Sequence, residues 1–494
     1  MIPISLSILA TFPHTLGEFV VSCVNMLSAL LLSVVSQPNP EIPRDFRAAW
    51  VATVDNIDWP TKPGLSTATQ QAEMIGILNT IQKLNMNAII FQIRPHGDSM
   101  YKSKIEPWSW YLTGESGIAP NPPYDPLQFT IDEARKRNIE VHVWFNPYRA
   151  NHGAQKGPMT KSHISKTNPS SVYKYGNFEW MDPGDPLVQK RSYDVFMDVL
   201  KRYDIDGIHI DDYFYPYPVK DTPFPDDRTY NAFKAKGGKL SKSDWRRKNV
   251  DDFVEKVYKG IKKEKPWVKF GISPFGIYRP GIPAGIKAGV DQYEDLSADA
   301  LKWYQKGLCD YFTPQLYWPI EQTAQSFPVL LDWWKGQNKM NRHFWPGLYT
   351  GRLNEGWETS QVTRQLDMIQ DRGLDGGVHF SMKSFTNNYK GINQALLAGP
   401  YQEKAIVPAS PWLDGKAPAM PNVKKTDDPR VFRLEGGALD VHQHVILTED
   451  KGEFKITGVY EGRMDLKMTT GSERMVIYAI DRVGNASAPF MLKK

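Results

Sequence analysis

Between Asp45 and Met382 the chain repeats one alternation eight times: a short extended segment with apolar residues on one parity, then a stretch with apolar residues at helical spacing. Few folds accept that pattern. The extended segments are Phe46 to Val54, Asn87 to Pro95, Ile139 to Pro147, Asp206 to Pro216, Lys269 to Phe275, Asp310 to Trp318, His343 to Tyr349 and Gly376 to Met382. Asp125-Pro126 and Asp185-Pro186 each supply an N-cap and a first-turn proline for a helix, and Gly373 ends the one carrying Val362, Leu366 and Ile369. Parallel strands need such crossovers, and eight of them predict a (β/α)8 TIM barrel over residues 43–398. A doubly wound sheet competes, but it requires neither an eighth strand nor a polar parity in every strand.

The polar parity points to function. Facing the axis it would place Gln92 and Arg94, then His142, Trp144 and Asn146, His209 and Asp211, Ser273, Gln315 and Tyr317, Tyr349, and His379 and Ser381. A purely structural barrel fills these places with Val, Ile and Leu. Hydroxyl-rich sugar rings need polar partners and an aromatic platform, so a sugar site is expected at the mouth. In the fourth segment Ile208 and Ile210 are expected to pack under the helices, with Asp211 at the carboxyl end, where barrel enzymes do their chemistry. A glycosidase needs an acid for the leaving oxygen, and a second carboxylate or the substrate's own N-acetyl group to stabilise the oxocarbenium-like state. Asp211 and Asp212 are the candidate catalytic residues. Asp212 has the opposite parity but lies where the chain can turn; Asp55, Asp98, Glu106 and Glu321 are further possible partners.

His96, His142, His209 and His379 fall on or beside strands, yet no strand has the His-x-His pair of barrel metal sites, and the glycines after the fifth segment match no phosphate loop. No metal or cofactor is expected. A formal charge of +5, scattered along the chain, gives no nucleic-acid groove. Cys23 and Cys309 are too few for a disulfide framework.

Long connections after the second, third and fourth segments lie on one face of a barrel and hold Trp108, Trp110, Tyr111, Tyr148, Tyr173, Trp180, Phe214, Tyr215 and Tyr217, the makings of a cleft for an extended polymer. Residues 399–428, rich in Pro, Ala and Lys, read as a linker. Residues 429–494 read as a small β-sandwich of the fibronectin or immunoglobulin kind. At the other end the apolar run from Phe19 to Val35 in residues 1–36 reads as a secretory signal cut near Gln37, or as an anchor, with Val20-Val21-Ser22-Cys23 loosely matching a lipoprotein box. Export to the periplasm or outer envelope is expected, with membrane contact only through that segment.

The motifs Arg94-Pro-His-Gly-Asp98, Glu106-Pro-Trp-Ser-Trp110 with Thr113-Gly114, Trp144-Phe-Asn-Pro-Tyr-Arg149, Asp182-Pro-Gly184, the fourth segment, Ser273-Pro-Phe-Gly276 and Pro314-Gln-Leu-Tyr-Trp318 run in order along residues 43–400. In them the chain resembles the glycosyl-hydrolase-like family 10. The resemblance implies a barrel glycosidase whose characterised bacterial branch cleaves peptidoglycan glycan strands stripped of stem peptides. The fourth segment is also similar to the strand-four motif of family 18 chitinases, but Tyr213 stands where they carry the acid Glu and His209 where they carry an Asp. On this reading Arg94, His96, Trp144, Asn146, His209, Tyr213, Gln315, Tyr317 and His379 bind the glycan. A non-catalytic glycan-binding protein is the alternative.

Overall fold

The computed structural model describes residues 39–428, 431–435, 440–461, 464–467 and 474–493. The signal read at residues 1–36, with Cys23, lies outside them. Seven strands, Phe46–Val51, Ala88–Arg94, Glu140–Phe145, Gly207–Ile210, Lys269–Ile272, Tyr311–Phe312 and Gly376–His379, belong to one parallel sheet. The remaining strand, seventh in chain order, comes in two pieces, His343–Phe344 and Gly347–Leu348, parted at Trp345-Pro346, where proline offers no N–H to the ladder. The first piece pairs with the sixth strand and the second with the eighth. These pieces are the two edges of the sheet, so a single strand joins its ends and the sheet closes on itself.

One parity of the strands, including Ile89, Phe91, Val141, Val143, Ile208, Ile210 and Ile272, packs against the apolar faces of the surrounding helices. The axis holds Phe46, Ala48, Trp50, Ala88, Ile90, Trp144, Tyr311, Trp345 and Val378, with the Phe46 and Trp345 rings stacked 3.8 Å apart. Asp125 caps Pro126–Arg135 and Asp185 caps Pro186–Arg202, as the sequence predicts, and Ser241 also caps Lys242–Glu264.

The connection after the third strand carries its own antiparallel sheet, Arg149–Asn151, Phe178–Met181 and Val172–Tyr175. Most aromatic residues of the three long connections are spent inside them: Tyr111, Tyr148, Trp180, Phe214 and Tyr215 are all buried. They are the core of the mouth-side layer rather than a stacking surface.

After the barrel come two antiparallel sheets, of three and four strands among the described residues. Leu434 and Leu466 of one and Ile446, Met475 and Ile477 of the other share an apolar cluster, so the sheets face each other. The four-stranded sheet turns its other face, with Val445, Val476 and Tyr478, toward Ile406. Ile406 in turn is stitched to the barrel base by backbone bonds with Pro43 and Asp45, both 3.0 Å. Ser410 bonds His343 at 3.0 Å and Trp412 bonds Asp310 at 3.0 Å along the same base. Arg482 pairs with Asp204 at 2.7 Å and Asn138 donates to the Val459 carbonyl at 2.7 Å. All these barrel residues lie at or just before the amino ends of their strands.

Candidate active site

The fourth strand ends at Ile210, and the two carboxyls that follow it, Asp211 and Asp212, open into one pocket of ≈ 310 Å³ at the carboxyl end of the barrel. Side-chain alternation stops where the strand stops, so Asp212 stands beside its neighbour despite its parity. Both are nearly buried, at 5% and 4% exposure.

Asp211 receives four hydrogen bonds: from Trp144 Nε1 at 3.1 Å, from Asn146 Nδ2 at 2.9 Å and 2.7 Å to its two oxygens, and from its own turn through Tyr213 N at 3.2 Å. The orientation of Asn146 is dictated from outside. The backbone N–H groups of Thr53 and Val54 can only donate, and they hold Gln92 Oε1 at 2.9 Å and 2.8 Å. Gln92 Nε2 must then donate to Asn146 Oδ1, at 2.7 Å, which turns the Asn146 nitrogen toward Asp211. Two side-chain amides thus pass the polarity of the first loop to the carboxylate.

Asp212 is bonded instead by the Tyr217 hydroxyl, while Gln315, whose amide donates to the Ser273 carbonyl at 3.0 Å, also favours its charged form. Burial, then the adjacent Asp212 charge, pushes Asp211 up to about 7; burial raises Asp212 as well, against the pull of those two partners. The Arg149 guanidinium, 4.3 Å over the Tyr213 ring, lines the same pocket and favours the charged form of both. Tyr317, Tyr349 and Phe380 form an aromatic wall, with Tyr317 4.9 Å from Tyr349 and 5.9 Å from Phe380. Trp50 adjoins it, 6.1 Å from Phe380.

Of the residues expected from sequence, Asp211, Asp212, Trp144, Tyr213, Gln315 and Tyr317 line this pocket. Five do not. Arg94 is fully buried; it forks onto Glu106 at 2.8 Å and 3.2 Å, shares that carboxylate with Arg191, and donates to the Asn146 carbonyl at 2.6 Å. Removing Arg94 leaves the buried Glu106 carboxylate with Arg191 alone and takes a donor from the Asn146 carbonyl. Arg94→Ala is expected to lower unfolding free energy by about 3–5 kcal/mol, read from urea denaturation. His96 is sealed behind the pocket 3.8 Å from Asp98, and burial holds its pKa well below the ordinary value. His209 lies one layer beneath the floor, and Asn146 touches Asp211 rather than open space. His379 faces the helices, bonded to Thr350 at 2.7 Å and Tyr401 at 2.8 Å, because Val378 and not His379 takes the axial parity of the eighth strand. An eight-stranded interior is filled by side chains, so only the last residues of a strand reach the mouth.

Among the other carboxylates Asp55 lines the pocket, Asp98 and Glu106 are buried away from it, and Glu321 is an exposed partner of Arg364. Trp50, His152 and Phe380 escaped sequence reasoning altogether. The first strand is apolar on both parities, which hides Trp50, and His152 comes from a loop without period. Arg149 did carry a signal, as the last residue of the Trp144-to-Arg149 motif.

The glycosyl hydrolase-like 10 family model matches residues 45–363. The glycosyl hydrolase YngK of Bacillus subtilis (strain 168) is 40% identical over 446 residues, 86% of this chain and 84% of that protein. The glycosyl hydrolase DigH of Escherichia coli (strain K12) is 38% identical over 316 residues, 60% of this chain and 71% of that one. Among solved structures, the catalytic domain of beta-amylase from Paenibacillus polymyxa has a TM-score of 0.50 at 13% identity, over 73% of this chain and 98% of that one. At that identity the likeness is one of fold.

Proposed function

The chain belongs to the glycosyl hydrolase-like 10 family and hydrolyses glycosidic bonds; we propose that the bonds are those of an N-acetylated bacterial glycan, peptidoglycan strands that have lost their stem peptides. The observation that carries the mechanism is the unequal environment of two adjacent carboxyls. Three N–H donors, from Trp144, Asn146 and Tyr213, span both oxygens of Asp211 and favour its charged form. Asp212 has a hydroxyl partner that can donate or accept. Burial raises both carboxyls, Asp211 to about 7, so the two share a proton, and we assign it to Asp212, whose hydroxyl partner leaves it room.

Asp212 gives it to the leaving oxygen as the glycosidic C–O bond breaks. Asp211 remains charged against the oxocarbenium-like centre, with the substrate's acetamido oxygen covering the other side. Water then adds and returns the proton to Asp212. Tyr213, in the place of the chitinase Glu, therefore need not be an acid. Trp144, Gln315 and Tyr317 hold the ring, and the aromatic wall takes its apolar face. The preference for stripped strands follows the motif set from Arg94 to Trp318. The same reading makes this an exported envelope enzyme, with the paired C-terminal sheets a fibronectin- or immunoglobulin-like module that contacts wall or partner.

Mass spectrometry after incubation with intact peptidoglycan, amidase-stripped strands and chitin oligosaccharides tests the substrate. Water-added sugar fragments from stripped strands alone are expected; products from intact peptidoglycan alone, or none, overturn it. Because the working state needs the shared proton, kcat/KM should fall as pH rises through about 7 and hold below it until the second carboxyl protonates. A profile from about pH 5 to about pH 9 that rises through neutrality contradicts that assignment.

A further inference from the structure

Below the pocket floor a line of hydrogen bonds runs down the barrel axis. Ser273 Oγ lies 2.8 Å from His209 Nε2, His209 Nδ1 lies 3.0 Å from the Tyr311 hydroxyl, that hydroxyl lies 2.8 Å from His142 Nδ1, and His142 Nε2 lies 3.0 Å from Glu140. The row is built into the fold: a Cβ on Gly207 would sit 2.4 Å from His142 Nδ1, and one on Gly271 would sit 1.8 Å from the Tyr311 ring. Its direction is determined at both ends. Trp50 Nε1 is a pure donor 3.2 Å from His209 Nε2, so that nitrogen carries no hydrogen. The His209 proton is then on Nδ1 and goes to Tyr311, Tyr311 donates to His142 Nδ1, and His142 Nε2–H meets the Glu140 carboxylate. Glu140 is ionised: Lys269 and His142 outweigh its burial and hold it down to about 2. Reversing the row would set N–H against N–H at Trp50 and a bare nitrogen against the carboxylate at Glu140.

At 2.8 Å from the bare His209 Nε2, Ser273 can only donate, as the nearer of the two donors sharing its lone pair, and with its hydrogen there the side of Oγ facing the pocket offers lone pairs only. We propose that Ser273 is a specificity-determining residue, an acceptor of fixed polarity for an N–H or O–H of the bound sugar. The assignment rests on the proposed glycan substrate and deepens it. Both oxygens of Asp211 already accept from N–H donors, whereas Ser273, on the same pocket, has lone pairs to offer an acetamido N–H.

The test reads binding and protonation rather than turnover, so it stands apart from whether the protein cuts stripped strands. Calorimetric titration with chitotriose and cellotriose should show Ser273→Ala weakening chitotriose roughly ten-fold. A loss on chitotriose alone assigns the donor to the acetamido N–H, and an equal loss on both assigns it to a hydroxyl. Unchanged affinity for both, or no binding of either by the wild type, overturns the proposal. Histidine-selective 15N NMR should find the His209 proton on Nδ1 with and without chitotriose; a proton on Nε2 overturns it too. Tyr311→Phe keeps the ring but removes the acceptor of Nδ1–H, and should release both the His209 tautomer and part of the chitotriose preference.

Discussion

Asp212→Asn should lower kcat on stripped glycan strands by about 10²–10⁴-fold while leaving glycan affinity close to that of the wild type. The substitution is isosteric. The Tyr217 hydroxyl can keep donating to the remaining oxygen, and Asp211 keeps all four of its own bonds. What disappears is the only proton that the pair can deliver. The variant should also lose the fall in activity through neutral pH, because Asp211, without the Asp212 charge that helps to raise it, no longer shares a proton with a neighbour. Steady-state kinetics across pH checks both, and a variant with near-wild-type kcat removes Asp212 from the mechanism.

Asn146→Asp should cost turnover on the order of 100-fold or more without a matching loss of binding. Gln92 still donates to one oxygen, so the new side chain keeps its place. The other oxygen then faces Asp211 at the 2.7–2.9 Å now spanned by the Asn146 amide. Like charges so close force a proton between them, which neutralises Asp211 and removes the charge that the transition state needs. Asn146 is fully buried and lies outside the pocket lining, so KM and the Kd for chitotriose should barely move. A large rise in Kd with kcat preserved would instead make Asn146 a sugar ligand, as its strand position alone suggests.

Strand parity is legible in a sequence because it is local; depth is not. Ile208, Ile210 and Asp211 could be assigned faces from the pattern Asp-Gly-Ile-His-Ile-Asp-Asp, since alternation needs only neighbouring residues. Whether an inward residue reaches the pocket depends on how many layers of side chain lie above it. That is why His209 and Arg94 were expected at the sugar and are found under it. His379 shows a different limit. In the eighth strand Val378 belongs inside, beside Trp345 and Trp50, and hydrophobicity alone points it outward. The aromatic loops misled in the same way: a Trp such as Trp180 is as useful for closing a long connection, through its bond to the Phe214 carbonyl at 3.0 Å, as for stacking on a sugar. The second strand-end carboxylate was legible as a candidate, but its partners Tyr217 and Gln315 come from separate connections that only the closed sheet brings together.

The two C-terminal sheets are fastened through Ile406, Asp204 and Asn138 to the amino ends of the strands, while Asp211 and Asp212 stand at the carboxyl ends. A strand the length of Glu140–Phe145 separates the two ends by about 20 Å. Anything held on the module would thus lie at the far end of the barrel from the two carboxyls. On the proposed envelope reading the module would serve as a plinth, with the opening pointing away from whatever it stands on. Its contribution would be to decide where the enzyme waits and which way it looks, and trimming it should alter the enzyme's address on a surface before it alters the chemistry on a free oligosaccharide.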